Sequence, residues 1–221
     1  MLPMGNLKLG VLKIQGSFCF FTFCLCGIIW DMKTNKDTFE VIFFARGGQG
    51  AKTASELVAH AAVREGKYVK AFPFFGPERS GAPTKMFLRI SHRQIRNQEP
   101  VNDPDVVVVL DETVMDNQDV AKNLDRYESL IVNSTSDKQE IQKKVPHFQG
   151  TIHIVDADGI SAEATGKPNP NMVLVGKLLQ VSSVVSLESA SEIFREVFTE
   201  KIGKELTEKN VQAMERGYDS L

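Results

Sequence analysis

From Phe39 onward, short and almost wholly apolar runs alternate with longer stretches of helical periodicity. Phe39–Ala45 (FEVIFFA) is dense in β-branched and aromatic residues, the composition of a buried strand. A helix is predicted from Ala51 to about Glu65, because Ala54, Leu57, Val58, Ala61 and Ala62 fall on one helical face. Gly66 follows as its terminator. Tyr68–Phe72 reads as a second strand, and Thr84–Ser91 alternates like a strand with one face covered. Asp105–Leu110 (DVVVVL) has the uninterrupted apolarity of a central parallel strand buried on both faces. Ser129–Asn133 and Thr151–Val155 repeat that pattern, with helical segments expected near Asp116–Asn123 and Asp137–Lys144. Beyond Val155 the pattern turns helical over Asn171–Val181, Leu187–Phe198 and Glu205–Tyr218. This order predicts an α/β fold, a three-layer sandwich with a mostly parallel sheet and a helical C-terminal tail. The tail is expected to cover one sheet face or to reach a partner.

Composition narrows the function classes. The chain has 221 residues and a net charge of -2, with no basic block, so nucleic acid is not an expected partner and a membrane surface is a poor one. Its three cysteines, Cys19, Cys24 and Cys26, all lie near the N-terminus at a spacing unlike paired metal ligands. His60, His92, His147 and His153 show no metal-ligand spacing either, so no metal site is expected in the body.

The N-terminal segment stands apart. Ile14–Trp30 carries no charge over 17 residues, at the lower limit for spanning a bilayer. It is readable as a membrane anchor, as the apolar region of a signal peptide, or as the product of a translation start placed too far upstream. Residues 1–31 are expected to be a non-core extension, and residues 32–221 a single domain.

Two stretches could carry chemistry. Arg46-Gly47-Gly48-Gln49-Gly50-Ala51-Lys52-Thr53 sits at a strand–helix junction, where backbone N–H groups and the helix N-terminus favour an anion. Gly47, Gly48, Gln49, Gly50 and Thr53 are therefore candidate phosphate-facing residues. The turn matches neither the P-loop nor the dinucleotide fingerprint, and a plain tight βα turn explains its glycines equally well. The second stretch, Phe72–Pro83, sets Glu78 and Arg79 among glycines, prolines and aromatics. Phe74, Phe75, Glu78, Arg79 and Gly81 are candidates for a partner-facing or ligand-facing loop. Asn133-Ser134-Thr135 matches a glycosylation sequon, although a turn after a strand accounts for it too. Asp111-Glu112 ends the central strand, where ligand sites in α/β folds gather. No catalytic constellation emerges.

The glycine turn and Ala71–Pro83 (AFPFFGPERSGAP) together resemble the gamma subunit of pyruvate:ferredoxin oxidoreductase (pyruvate synthase). Three more matches follow in family order: Pro104-Asp105 leading to Asp111-Glu112, Lys167-Pro168-Asn169-Pro170-Asn171 opening a helix, and Lys209-Asn210 to Tyr218. Ser80 stands where the family motif has Arg. The resemblance spans about Phe39 to Tyr218. It implies a hetero-oligomer that oxidatively decarboxylates pyruvate to acetyl-CoA, partnered by alpha, beta and delta-type subunits and by ferredoxin. Thiamine diphosphate, Mg²⁺ and [4Fe-4S] clusters would lie in other chains. Coenzyme A would contact this one at the glycine turn, and the isolated chain would be inactive. A gamma subunit of a branched-chain 2-oxoacid enzyme, or a stand-alone nucleotide-binding α/β protein, are the alternatives. The family is cytoplasmic, which makes Met32 the expected start.

Overall fold

The computed structural model describes residues 36–74 and 83–220. The expectations for residues 1–31, and for Phe75, Glu78, Arg79 and Gly81, lie outside the described residues. Six strands form one sheet, β1 (Thr38–Arg46), β2 (Tyr68–Phe74), β3 (Pro83–Ser91), β4 (Val106–Val109), β5 (Ser129–Asn133) and β6 (Thr151–Val155), in the order β2-β3-β1-β4-β5-β6. The pairs β1–β4, β4–β5 and β5–β6 are parallel, and β3 runs antiparallel to both β1 and β2. The expected mostly parallel sheet is present, with an antiparallel hairpin added at one side.

Alternation along β1 explains why helices cover both faces. Phe39, Val41, Phe43 and Ala45 enter one core, while Ile42 and Phe44 enter the other. The first core is closed by α1 (Ala51–Arg64), whose Ala54, Leu57, Val58, Ala61 and Ala62 are buried as their spacing predicted. Helix α1 ends where Gly66, at φ 78, donates to the Val63 carbonyl and Lys67 donates to that of Ala62. The same core takes α3 (Ala157–Thr165) and α4 (Asn171–Ser182), with α5 (Leu187–Ile202) and α6 (Lys204–Asp219) stacked outside them. The opposite face is covered by α2 (Lys138–Lys144) and by irregular chain around Val101, Val114 and Val120. In β4 all four valines are at most 3% exposed, each burial contributing about 2 kcal/mol of transfer free energy.

Three expectations need correction. The segment near Asp116–Asn123 is not a helix. A 3₁₀ turn spans Glu112–Asp116, capped by the Asp111 carboxylate, and Asp119 then bonds the backbone N–H of Ala121 in a further turn. Side chains that satisfy nearby backbone groups compete with a helix. Helix α3 was not foreseen, although Asp156 at its N-cap and Gly166 at φ 80 at its end are the standard bounding residues. The later part of β3 is covered on both faces: Met86, Leu88 and Ile90 enter the core under α1, while Phe87 joins the opposite core and Arg89, 3% exposed, is held under the Glu99 and Pro100 carbonyls.

A cluster of acids closes the lower end of the sheet. Asp105 accepts from the Glu40 N–H at 2.7 Å, with Lys36 Nζ 3.8 Å from its other oxygen. Burial raises the Asp105 carboxyl to about 6 and that of Glu128 to about 7. Both bind protons more tightly folded than unfolded, so their contribution favours the fold at low pH and is lost as pH rises from about 4 to about 7. Asp105→Asn is expected to flatten that fall in a plot of thermal midpoint against pH. An unchanged slope would show that Asp105 is not a source of it.

Candidate functional site

Strands β1 and β4 are parallel neighbours whose connections leave on opposite faces. The chain after β1 enters α1 on one side, and the chain after β4 enters the 3₁₀ turn on the other. A crevice opens outside the carboxyl ends of two such strands, where α/β proteins gather their ligands. The glycine turn and Asp111 meet there, though they are far apart in sequence.

The turn is built by its own backbone. Gln49 N–H donates to the Arg46 carbonyl at 3.3 Å, and Gly48 between them has φ 93, a region that favours glycine. Gln49 Oε1 accepts from the Arg46 N–H at 2.7 Å, and Gln49 Nε2 donates to Asp111 Oδ2 at 2.7 Å. Both ends of the Gln49 amide are thus engaged, one closing the turn on Arg46 and the other tying it to Asp111 just beyond β4. Asp111 also accepts from the Thr113 N–H at 2.9 Å and from its hydroxyl at 2.6 Å. Arg46 Nε donates to Thr113 Oγ1 at 2.9 Å and stands 3.6 Å from Asp111. Partial burial pushes the Asp111 carboxyl up, but the hydrogen bonds from Thr113 and Gln49 and the charge of Arg46 hold it below the usual carboxylate range. The anion in this crevice stays ionised and is already paired.

Further along, the sequon residue Asn133 is buried. It donates to the Leu110 carbonyl at 2.9 Å and to Asp158 at 2.8 Å, and it accepts from the Ala157 N–H at 3.0 Å. It stitches β4, β5 and α3 together, which leaves no accessible amide for a glycan in the folded chain. Ser134 donates to the Glu112 carboxylate beside it.

Two helix N-termini converge behind the turn. Gly50, at φ 78, is the N-cap of α1, and Asn171 opens α4. Neither helix has a side-chain cap or an acidic residue in its first turn, so their N–H groups and dipoles add positive potential. A Cβ at Gly50 would lie 2.3 Å from Asn171 Nδ2, so the approach depends on glycine. Gly47, Gly48, Gly50 and Thr53 lie together at this junction, with Thr53 half-buried. Asn171, within the Lys167–Asn171 motif, is a site neighbour that spacing alone did not connect to the glycine turn. Gly50→Ala is expected to cost about 1–3 kcal/mol from the left-handed φ and the contact together. Adding Asn171→Ala should recover part of it in urea denaturation. Full additivity of the two changes would contradict the contact.

Phe74, at the end of β2, lies on the far side of β3 from this crevice and is 50% exposed. Among the described residues no group of three His, Cys, Asp or Glu side chains could hold a metal ion, and no helix is long and apolar enough to cross a membrane.

Comparison with known proteins gives a consistent result. The sequence profile of the family described as pyruvate ferredoxin/flavodoxin oxidoreductase matches residues 40–220. The pyruvate/ketoisovalerate oxidoreductases common subunit gamma of Thermococcus kodakarensis is 42% identical over 180 residues, covering 81% of this chain and 95% of the relative. Pyruvate synthase subunit PorC of Thermotoga maritima is 38% identical over 190 residues, covering 86% and 98%. The crystal structure of the pyruvate oxidoreductase subunit PORC from Thermotoga maritima superposes with a TM-score of 0.75 at 37% identity, covering 84% of this chain and 97% of that one.

Proposed function

The chain belongs to the pyruvate ferredoxin/flavodoxin oxidoreductase family, and we propose that it is the gamma subunit of a multi-subunit pyruvate:ferredoxin oxidoreductase, with residues 32–221 as its single domain. One observation carries this reading. The match to subunits named gamma or PorC runs almost from end to end of those relatives, at about 40% identity. The assembly would convert pyruvate and coenzyme A to acetyl-CoA while reducing ferredoxin, in the cytoplasm. Alpha, beta and delta-type subunits would hold the thiamine diphosphate, Mg²⁺ and [4Fe-4S] clusters. All three cysteines of this chain fall in its first 31 residues, so a cysteine-ligated cluster in residues 32–221 would need ligands from elsewhere.

Within that assembly this chain would contact coenzyme A at the crevice beside β1. The arrangement favours a phosphate there: two helix N-termini without acidic first-turn residues, glycines at 48 and 50 in left-handed backbone, and the Thr53 hydroxyl close by. Gln49 would keep the turn in shape, since its amide is already engaged. The loop holding Phe75, Glu78, Arg79 and Gly81 is assigned to a partner or to the mouth of the active site, on sequence grounds. Because the Thermococcus relative is named as common to pyruvate and ketoisovalerate enzymes, substrate choice is assigned to the other chains.

Two measurements test this. The isolated chain should give no pyruvate-dependent ferredoxin reduction, and turnover by it alone would sink the subunit reading. In the assembled enzyme, Thr53→Val should raise the KM for coenzyme A about threefold to tenfold with the KM for pyruvate unchanged, the loss of one phosphate hydrogen bond. An unchanged KM for coenzyme A would remove Thr53 from the site.

A further inference from the structure

On the sheet face away from α1, at the hairpin side, the described residues leave part of the sheet uncovered. A cavity of about 270 Å³ opens there, floored by Ile42, Phe44 and Phe87 and rimmed by Phe74, Lys85, Lys122 and Asp119. Phe44, Lys85 and Phe74 are register partners across β1, β3 and β2, so one row of the sheet builds the wall. Lys85 Nζ sits 4.7 Å from the centroid of the Phe44 ring, and the Phe74 and Phe87 rings are 6.1 Å apart.

Two features distinguish this surface from an ordinary dent. Lys85 and Lys122 are close enough to repel, and the one carboxylate on the rim, Asp119, is turned to His147 at 3.3 Å and to the Ala121 N–H, so among the described residues neither lysine has an ion pair. Burial, and then Lys122, pull the Lys85 ammonium below its usual range, so an incoming anion would relieve both cations at once. The second feature is an aromatic stripe on the edge strand. Tyr68, Phe72 and Phe74 share the cavity side of β2 with Lys70, and Tyr68 and Phe74 are 51% and 50% exposed. No further strand covers β2 among the described residues. Exposed aromatic area beside two cations that share no ion pair among the described residues marks a protein contact more than a small-ligand site. The cavity is also smaller than most small-molecule pockets, and its size suits one anchoring side chain.

We propose that this cavity and the adjoining face of β2 form an interaction surface for another subunit of the assembly, which inserts an apolar or aromatic side chain beside a carboxylate that pairs with Lys85 and Lys122. The inference rests on the subunit reading above. It also has an independent way to fail.

The test measures binding of the full chain to the remaining subunits, purified together under anaerobic conditions, with wild type, Lys85→Glu, Lys122→Glu and Phe74→Ser. Each substitution is expected to weaken association about tenfold or more, with wild-type affinity falling as salt rises. Lys122 is exposed, so its reversal tests the charge with the fold unaltered, as the urea midpoint will show. Wild-type chain that fails to bind the other subunits overturns the subunit reading itself. Normal wild-type binding with unaffected variants overturns only the surface proposed here. Unaffected variants with saturable binding of benzoate at Lys85 would instead assign the cavity to a small organic anion, and would also overturn it.

Discussion

Gly176→Ala and Gly217→Ala are each expected to lower the stability of the chain by about 3 kcal/mol or more, on the order of 10 °C in Tm. A Cβ at Gly176, in α4, would lie 1.9 Å from the Met214 carbonyl oxygen and 2.8 Å from the Tyr218 nitrogen. A Cβ at Gly217, in α6, would lie 2.0 Å from the Val173 carbonyl oxygen. In both cases the obstacle is backbone of the facing helix, which cannot turn aside as a side chain can. The two glycines meet across one interface, so α4 and α6 touch main chain to main chain and must separate to admit either methyl. Because the residues share that interface, the double variant should cost less than the sum of the singles. Thermal unfolding of the three variants decides it. A Gly217→Ala protein with wild-type Tm would show that the helices do not pack this closely.

Arg89→Met is expected to be about as severe, at about 3–5 kcal/mol. Arg89 is buried in β3, with Nε 2.5 Å from Glu40 Oε1, and its other nitrogens donate to the Glu99 and Pro100 carbonyls at 2.6 and 3.3 Å. It thereby ties β1, β3 and the segment before β4 together. Removing it leaves a largely buried Glu40 carboxylate and two carbonyls without a donor, and the desolvation of those groups is then uncompensated. The paired change Glu40→Met with Arg89→Met should regain a sizeable part of the loss, since an apolar pair leaves no buried charge. Urea midpoints of the single and double variants measure this. If the double variant were less stable than Arg89→Met alone, an unpaired carboxylate would not be the main cost.

The parts of the fold that depend on neighbouring residues were legible in the sequence. The β1 run, the glycine turn and the α1 face were all readable, because a strand, a turn and an amphipathic helix each write their own local pattern. The Gly66 terminator was readable for the same reason. Helix α3 escaped because Gly159 lies within it and its buried positions are few, although Asp156 and Gly166 marked its ends. Arg89 looked like the polar face of a half-covered strand. Its burial follows from Glu40, 49 residues away in sequence, and no local pattern carries that. The closeness of Gly176 and Gly217 depends likewise on which helices meet.

The candidate site divides in the same way. Gly48 and Gly50 were recognisable as turn glycines, and both do adopt the left-handed backbone. The roles of Asn133 and Asn171 were not recognisable. Asn133 read as a sequon and proves to be a buried tie between strands. Asn171 appeared only as part of a motif, and its contact with Gly50 exists because two helices start at one point in space. The pairing of Gln49 with Asp111 also needed the strand order, which brings the ends of β1 and β4 side by side.

Family membership and the near end-to-end match to gamma and PorC subunits make this chain the gamma subunit of a 2-oxoacid oxidoreductase. The most direct test of that role is anaerobic purification from native extract by a tag on this chain, with the co-eluting proteins identified and pyruvate-dependent ferredoxin reduction assayed. Stoichiometric alpha, beta and delta-type subunits are expected to co-elute, with activity that requires coenzyme A. A chain that elutes alone from active extract, while the oxidoreductase activity remains in fractions lacking it, would show that it is not a subunit of that enzyme.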